Sequence, residues 1–103
     1  MNERVASCLL IAKVLVADGM MADHERAFLG RSMTRLGLSE TEMQMVRALE
    51  RFDEAEKVVA AMPLAQRKAL VDQLLEAALA DGKLSPHETR TVAAITKALG
   101  IEG

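Results

Sequence analysis

The sequence predicts an all-α fold: one small helical domain, residues 1–103, of about six helices. Three observations carry this. Half of the 103 residues are apolar, yet there is no Trp or Tyr and only two Phe, so the core must be Leu, Val, Ala and Met. That mixture favours helices, whereas sheets draw on β-branched and aromatic residues. Apolar and polar residues nowhere alternate with period two over a strand's length. Finally, glycines, prolines and N-cap residues punctuate the chain at helix-length intervals.

The first helix is expected from about residue 2 to Asp18, halted by Gly19. It is apolar on nearly every side (Leu9, Ile11, Ala12, Val14, Leu15, Val16), the pattern of a central, buried helix. The second runs from about Asp23 to Leu36, with Gly37 as a good residue to follow the C-cap. Ser39-Glu40-Thr41-Glu42 spells a capping box that opens a third helix ending near Arg51. Asp53, with Glu56 three residues on, opens a short fourth that reaches Met62. Pro63 suits the first turn of the fifth, which passes through Leu70, Val71, Leu74, Leu75 and Leu79 to Asp81 and stops at Gly82. The sixth opens on Ser85-Pro86-His87-Glu88, with Ser at the N-cap, Pro at N1 and Glu at N3, and ends at Leu99-Gly100.

An internal repeat organises these elements. A displacement of 63 residues, without a gap, carries Arg4 onto Arg67 and Ala17-Asp18-Gly19 onto Ala80-Asp81-Gly82. The same displacement carries His24-Glu25 onto His87-Glu88 and Leu36-Gly37 onto Leu99-Gly100. The chain therefore reads as two helix-turn-helix units, 1–38 and 64–101, joined by connecting helices in 39–62. Two such hairpins can bury their apolar faces against each other.

Composition narrows function. With 27% charged residues and a net charge of -2, electrostatically driven binding to nucleic acid is not expected. The single Cys8 excludes an intrachain disulfide and, lying in an apolar run, reads as a core thiol. That run, Val5 to Ala17, is interrupted by Lys13 and is too short for a membrane span, which takes about 20 residues. "VADGM" makes a poor signal-peptide cleavage site, so a soluble cytoplasmic protein is expected. No nucleophile-base pair and no Gly-rich phosphate loop is spelled, and an enzyme is not expected.

The two acidic turns are the candidate site. The EF-hand pattern D-x-[DN]-x-[DN]-G-x5-E fits each turn in its second half, from Asp18-Gly19 to Glu25 and from Asp81-Gly82 to Glu88. Its first half fails twice, because Val14 and Val16 in one copy, and Ala77 and Leu79 in the other, cannot bind a cation. Ca²⁺ takes 6–8 oxygen ligands, so an independent EF-hand site is not expected. Helix stops, caps and staples (Met21, Leu84) account for the glycines and glutamates. They leave Asp18 and Asp81 unexplained, each at a helix C-terminus where negative charge is disfavoured. Either each aspartate accepts hydrogen bonds from the following amides, or a cation sits there. His24 and His87 stand at N2 of their helices, where the dipole favours neutral imidazole. They are either exposed first-turn residues or co-ligands in a mixed nitrogen and oxygen site for Zn²⁺, Mn²⁺ or a similar ion.

Methionines, among them Met20, Met21, Met33, Met43, Met45 and Met62, read as filler of a core without aromatics. Arg31 and Arg35, Arg47 and Arg51, and Arg26 could form a basic face opposite the acidic turns, either solvated, with Glu42 and Glu50 nearby, or a docking face for an acidic partner.

The motif A-D-G, an apolar residue, a Glu opening the next helix and a closing L-G-[LI], given twice, resembles the TerB-like family over almost the whole chain. The second copy, "ALADGKLSPHETRTVAAITKALGI", lies nearer to that pattern than the first, whose N-cap is Ala22. The family comprises small all-helical domains of bacterial tellurite-resistance proteins and of some membrane-anchored co-chaperones of the J-domain class. The resemblance implies a stress-associated role. It also implies weak binding of a divalent cation (Ca²⁺, Mn²⁺ or Zn²⁺) at Asp18, Glu25, Asp81 and Glu88. His24 and His87 lie outside the family pattern. Protein partners are expected, including a membrane-associated complex or a second copy of the chain. The alternative is a metal-independent protein-interaction module or scaffold.

Overall fold

The computed structural model describes residues 1–17, 19, 21–79 and 85–101, and among these all regular structure is helical. Six helices follow in order: α1 (Glu3–Leu15), α2 (Asp23–Arg35), α3 (Glu40–Arg47), α4 (Phe52–Ala60), α5 (Leu64–Ala78) and α6 (Pro86–Ala98).

α1 is the axle of the fold. It starts under an Asn2 cap whose side chain accepts the Val5 N–H at 2.9 Å. From Val5 to Leu15 every residue but Lys13 is buried, which is what an all-round apolar helix requires. It packs against each of the other five helices, most extensively against α4. Lys13 is the exception that fits. Its ammonium reaches the Glu56 carboxylate of α4 at 2.8 Å and lies 6.0 Å from the Phe52 ring centroid, so the charge is met where α4 crosses.

The repeat is written into the backbone. α2 and α6 share both boundaries once displaced by 63 residues, and α1 and α5 share their last residue. The helix exits match as well. Gly37 and Gly100 both have φ of 73°, the left-handed conformation that a Schellman exit demands. Leu38 N–H donates to the Met33 carbonyl and Ile101 N–H to the Thr96 carbonyl, both at 3.1 Å. This hairpin pair encloses the core that α1 and α5 share.

Several boundaries differ from expectation. α1 stops at Leu15, three residues short of Asp18. α3 stops at Arg47, before Arg51, because Leu49 and Arg51 adopt positive φ (55° and 67°) and break the helix. α4 then starts at Phe52 on the left-handed Arg51, with no side-chain cap. Asp53 falls inside its first turn and Glu56 reaches Lys13 instead of closing a box, so the expected Asp53 cap is not formed. The Ser39-Glu42 box does form, with the Glu42 N–H on Ser39 Oγ at 3.2 Å and the Ser39 N–H on Glu42 Oε1 at 2.9 Å. The Ser39 backbone N–H, and after it the Asn2 amide, hold the Glu42 carboxyl below its usual range. The expected end of α5 at Asp81 and Gly82 lies outside the described residues.

Candidate functional site

The acidic turns divide into what is described and what is not. Asp18 and Asp81 lie outside the described residues, and with them the expected cation positions. Gly19 has φ of 111°, as a helix-stopping turn needs. Met21 is half-buried against the core, the staple expected of it. Glu25 and Glu88 both stand at N3 and both are buried, at 4% and 1% exposure. Glu25 Oε1 accepts the Ala22 N–H at 3.0 Å. The reciprocal bond is absent because Ala22 has no side-chain oxygen. In the second unit Ser85 Oγ accepts the Glu88 N–H at 3.1 Å. His24 and His87 stand at N2 and are exposed. Among the described residues, no three His, Cys, Asp or Glu side chains gather closely enough to hold a metal ion. Cys8 is fully buried, and that burial pushes its thiol up to about 12, far from a nucleophile's range.

A different feature stands beside the first turn. α2 leans on α1 with Leu29, Ser32 and Met33 and leaves its other flank open towards α3 and the turn after it. A cavity of about 670 Å³ opens there, floored by Leu29, Gly30 and Met33 and edged by Arg26, Arg47 and Leu49. A second, of about 590 Å³, shares Gly30, Met33 and Arg47 with the first and continues along α2 past Arg31 and Arg35 to Met43. Together they form one groove between α2 and α3, apolar along its floor and basic along its rim.

Among the described residues the rim charges have few partners. Arg47 has one exposed acidic partner, Glu40, at 3.8 Å, and such a contact holds an arginine weakly. Arg26, Arg31 and Arg35 make no ion pair among the described residues. Arg31 rests 5.9 Å from the Phe28 ring centroid. Arg51 turns away to Glu54, and Glu42 serves Arg4 and Asn2, so Glu42 and Glu50 pair with none of the groove's arginines. The basic face thus adjoins the first acidic turn through Gly19 and Met21; it is not opposite it.

Two residues in this groove are costly to the fold. Gly30 lies inside α2 without a positive φ, and a Cβ added there would meet nothing within 4 Å. Its presence costs the helix about 1 kcal/mol relative to Ala, with no steric need for it. The equivalent position in α6 is Ala93. Leu49, 37% exposed, is held at φ of 55°, where a left-handed non-glycine residue costs about 1 kcal/mol. Sequence reasoning passed over both. The signal for Gly30 was there, as an isolated glycine inside a helical pattern with alanine at its repeat position.

No helix among the described residues is long and apolar enough to cross a membrane. A family model described as tellurite resistance protein TerB matches residues 4–103. Comparison with curated proteins and with solved structures found no match. The match spans the whole helical frame, both hairpins and the helices between them, and the chain belongs to the TerB family.

Proposed function

We propose that this chain is a non-catalytic TerB-family interaction module, cytoplasmic and stress-associated, which docks a protein partner in the α2–α3 groove without needing a metal. The observation that supports this best is the groove itself: an open apolar floor beneath arginines that have no firm partner among the described residues. An interface core of this kind, apolar within and charged at the rim, suits transient protein recognition. Random peptides displayed on phage, selected on the native chain in EDTA, test it. Enrichment on the native chain that is lost on Gly30→Leu supports groove docking. No enrichment, or enrichment indifferent to Gly30→Leu, refutes it.

A second reading is favoured by the paired burial of Glu25 and Glu88 at N3 of α2 and α6. In it a divalent cation, Ca²⁺, Mn²⁺ or Zn²⁺, binds weakly through Asp18, Glu25, Asp81 and Glu88, with His24 and His87 as co-ligands, and biases docking by neutralising the turns. Calorimetric titration of the chelated chain separates it from the first. Heat that Asp81→Asn diminishes supports the cation, and no heat or thermal shift up to millimolar ion removes it.

A further inference from the structure

The groove's chemistry also specifies what should lie in it. Its floor, Leu29 and Met33 with Met21 and Met43 at the ends, is apolar and rich in methionine, whose unbranched side chains adapt to varied apolar surfaces. Its rim presents Arg26, Arg31, Arg35 and Arg47, of which only Arg47 makes an ion pair among the described residues, to the exposed Glu40, although the chain as a whole carries a net charge of -2. An occupant must therefore be apolar on one side and acidic on its flanks. The described residues offer no strand edge for an extended peptide to extend. They offer two helices with a gap between them, which is the setting for a third.

Gly30 sharpens this. It lies at the point the two cavities share, so the absence of a side chain there leaves the groove continuous along α2. A helix laid in the groove can approach α2 most closely at that point, since interaxial distance is set by the side chains at the crossing. Among the described residues no cavity runs along α6 as one does along α2, and the position equivalent to Gly30 is Ala93. α6 does carry Arg90 and Lys97, at the positions of Ala27 and Thr34, so basic charge alone does not distinguish the units. The glycine and the groove do. Leu49 completes the arrangement. The left-handed backbone at residue 49 holds its half-exposed side chain at the groove's edge, where it can close over an apolar guest.

We propose that the α2–α3 groove recognises an acidic amphipathic helix of a partner protein, seated on Leu29 and Met33 across Gly30 and held by Arg26, Arg31, Arg35 and Arg47. This rests on the reading of the groove as a docking site, and the test separates the two. Three fluorescein-labelled helical peptides share one apolar stripe (Leu or Met at i, i+4, i+7 and i+11) and differ in their flanks, which are Glu/Asp, Gln or Lys. Binding is read by fluorescence anisotropy in EDTA at low salt. Exposed ion pairs are individually weak, and several together give about a tenfold preference for the acidic over the Gln peptide, with weaker binding still for the Lys peptide. Arg31→Glu with Arg35→Glu, both exposed in the native chain, should erase that preference while the melting curve is kept. Gly30→Leu should abolish binding of all three. Equal binding of acidic and Gln peptides, still lost on Gly30→Leu, overturns the acidic occupant and leaves groove docking standing. Binding unaffected by Gly30→Leu, or no binding by any peptide, overturns both. A chain that dimerises by sedimentation, and does so only with Gly30 intact, also overturns the proposal, because a second copy then fills the groove.

Discussion

Gly30→Ala should make this protein more stable and less able to bind. Gly30 lies within α2, has no positive φ, and would offer a Cβ open space out to 4 Å. The folded state therefore gains no clash, and the change is governed by helix propensity, which favours Ala over Gly by about 0.8–1.0 kcal/mol. For a domain of this size, 1 kcal/mol raises Tm by roughly 4–8 °C. Differential scanning calorimetry reads the shift. Urea melts should show the midpoint rising at constant slope, since almost no surface is exchanged. The same methyl stands on the groove floor, so affinity for the acidic peptide should fall while stability rises. An unchanged or lower Tm would refute the claim that position 30 is sterically free. A higher Tm with undiminished binding would refute the claim that the glycine serves the groove.

Ala22→Ser should stabilise by about 1 kcal/mol in thermal melts, because Ala22 (φ -74°, ψ 166°) already has the cap geometry of Ser39 (φ -73°, ψ 167°) and lacks only the oxygen. Arg67 donates from Nε to the Met62 carbonyl at 2.9 Å and from Nη1 to the Leu99 carbonyl at 2.6 Å. Arg67→Lys cannot span both carbonyls, and a loss of about 2 kcal/mol is expected in urea unfolding. Cys8 gives a pH signature. The unfolded thiol ionises near 9.0 and the folded one only near 12, so above pH 9 the unfolded state releases its proton first and stability falls. Relative to Cys8→Ala, the native chain should lose stability progressively as pH rises above 9. Iodoacetamide should leave Cys8 unmodified at pH 8 until the chain is denatured.

The helical frame was legible because it is local and written twice. The glycine exits at Gly37 and Gly100, the caps at Ser39 and Ser85 and the all-round apolar α1 each follow from chemistry within a turn or two of chain. The segment from Ala48 to Asp53 was less legible. Nothing in Leu49-Glu50-Arg51 announces left-handed backbone, and the Asp53-Glu56 spacing imitates a cap until Lys13, far off in the chain, claims Glu56. The site was least legible of all. Arg26, Arg31, Arg35 and Arg47 could be named as a basic set, but their grouping around Gly30 depends on how α3 turns away from α2, which no local pattern encodes. The acidic turns were conspicuous as spelling; their histidines stand exposed at N2 of α2 and α6, while Asp18 and Asp81 lie outside the described residues.

The place of α1 also sets a schedule for synthesis. The helix that every other helix packs against is made before any of them, and its main partners, α4 and α5, come late in the chain. Ribosomes add roughly 5–20 residues per second, so roughly 3–11 s separate Leu15 from Leu70. Until α4 is complete at Ala60, the most apolar segment has only α2 and α3 to cover part of it, and α5 is still to come. Newly made chains are thus most exposed to aggregation, and most in need of a chaperone, before α5 emerges. Truncations that end between α3 and α5 should collect in inclusion bodies to a greater extent than the 103-residue chain.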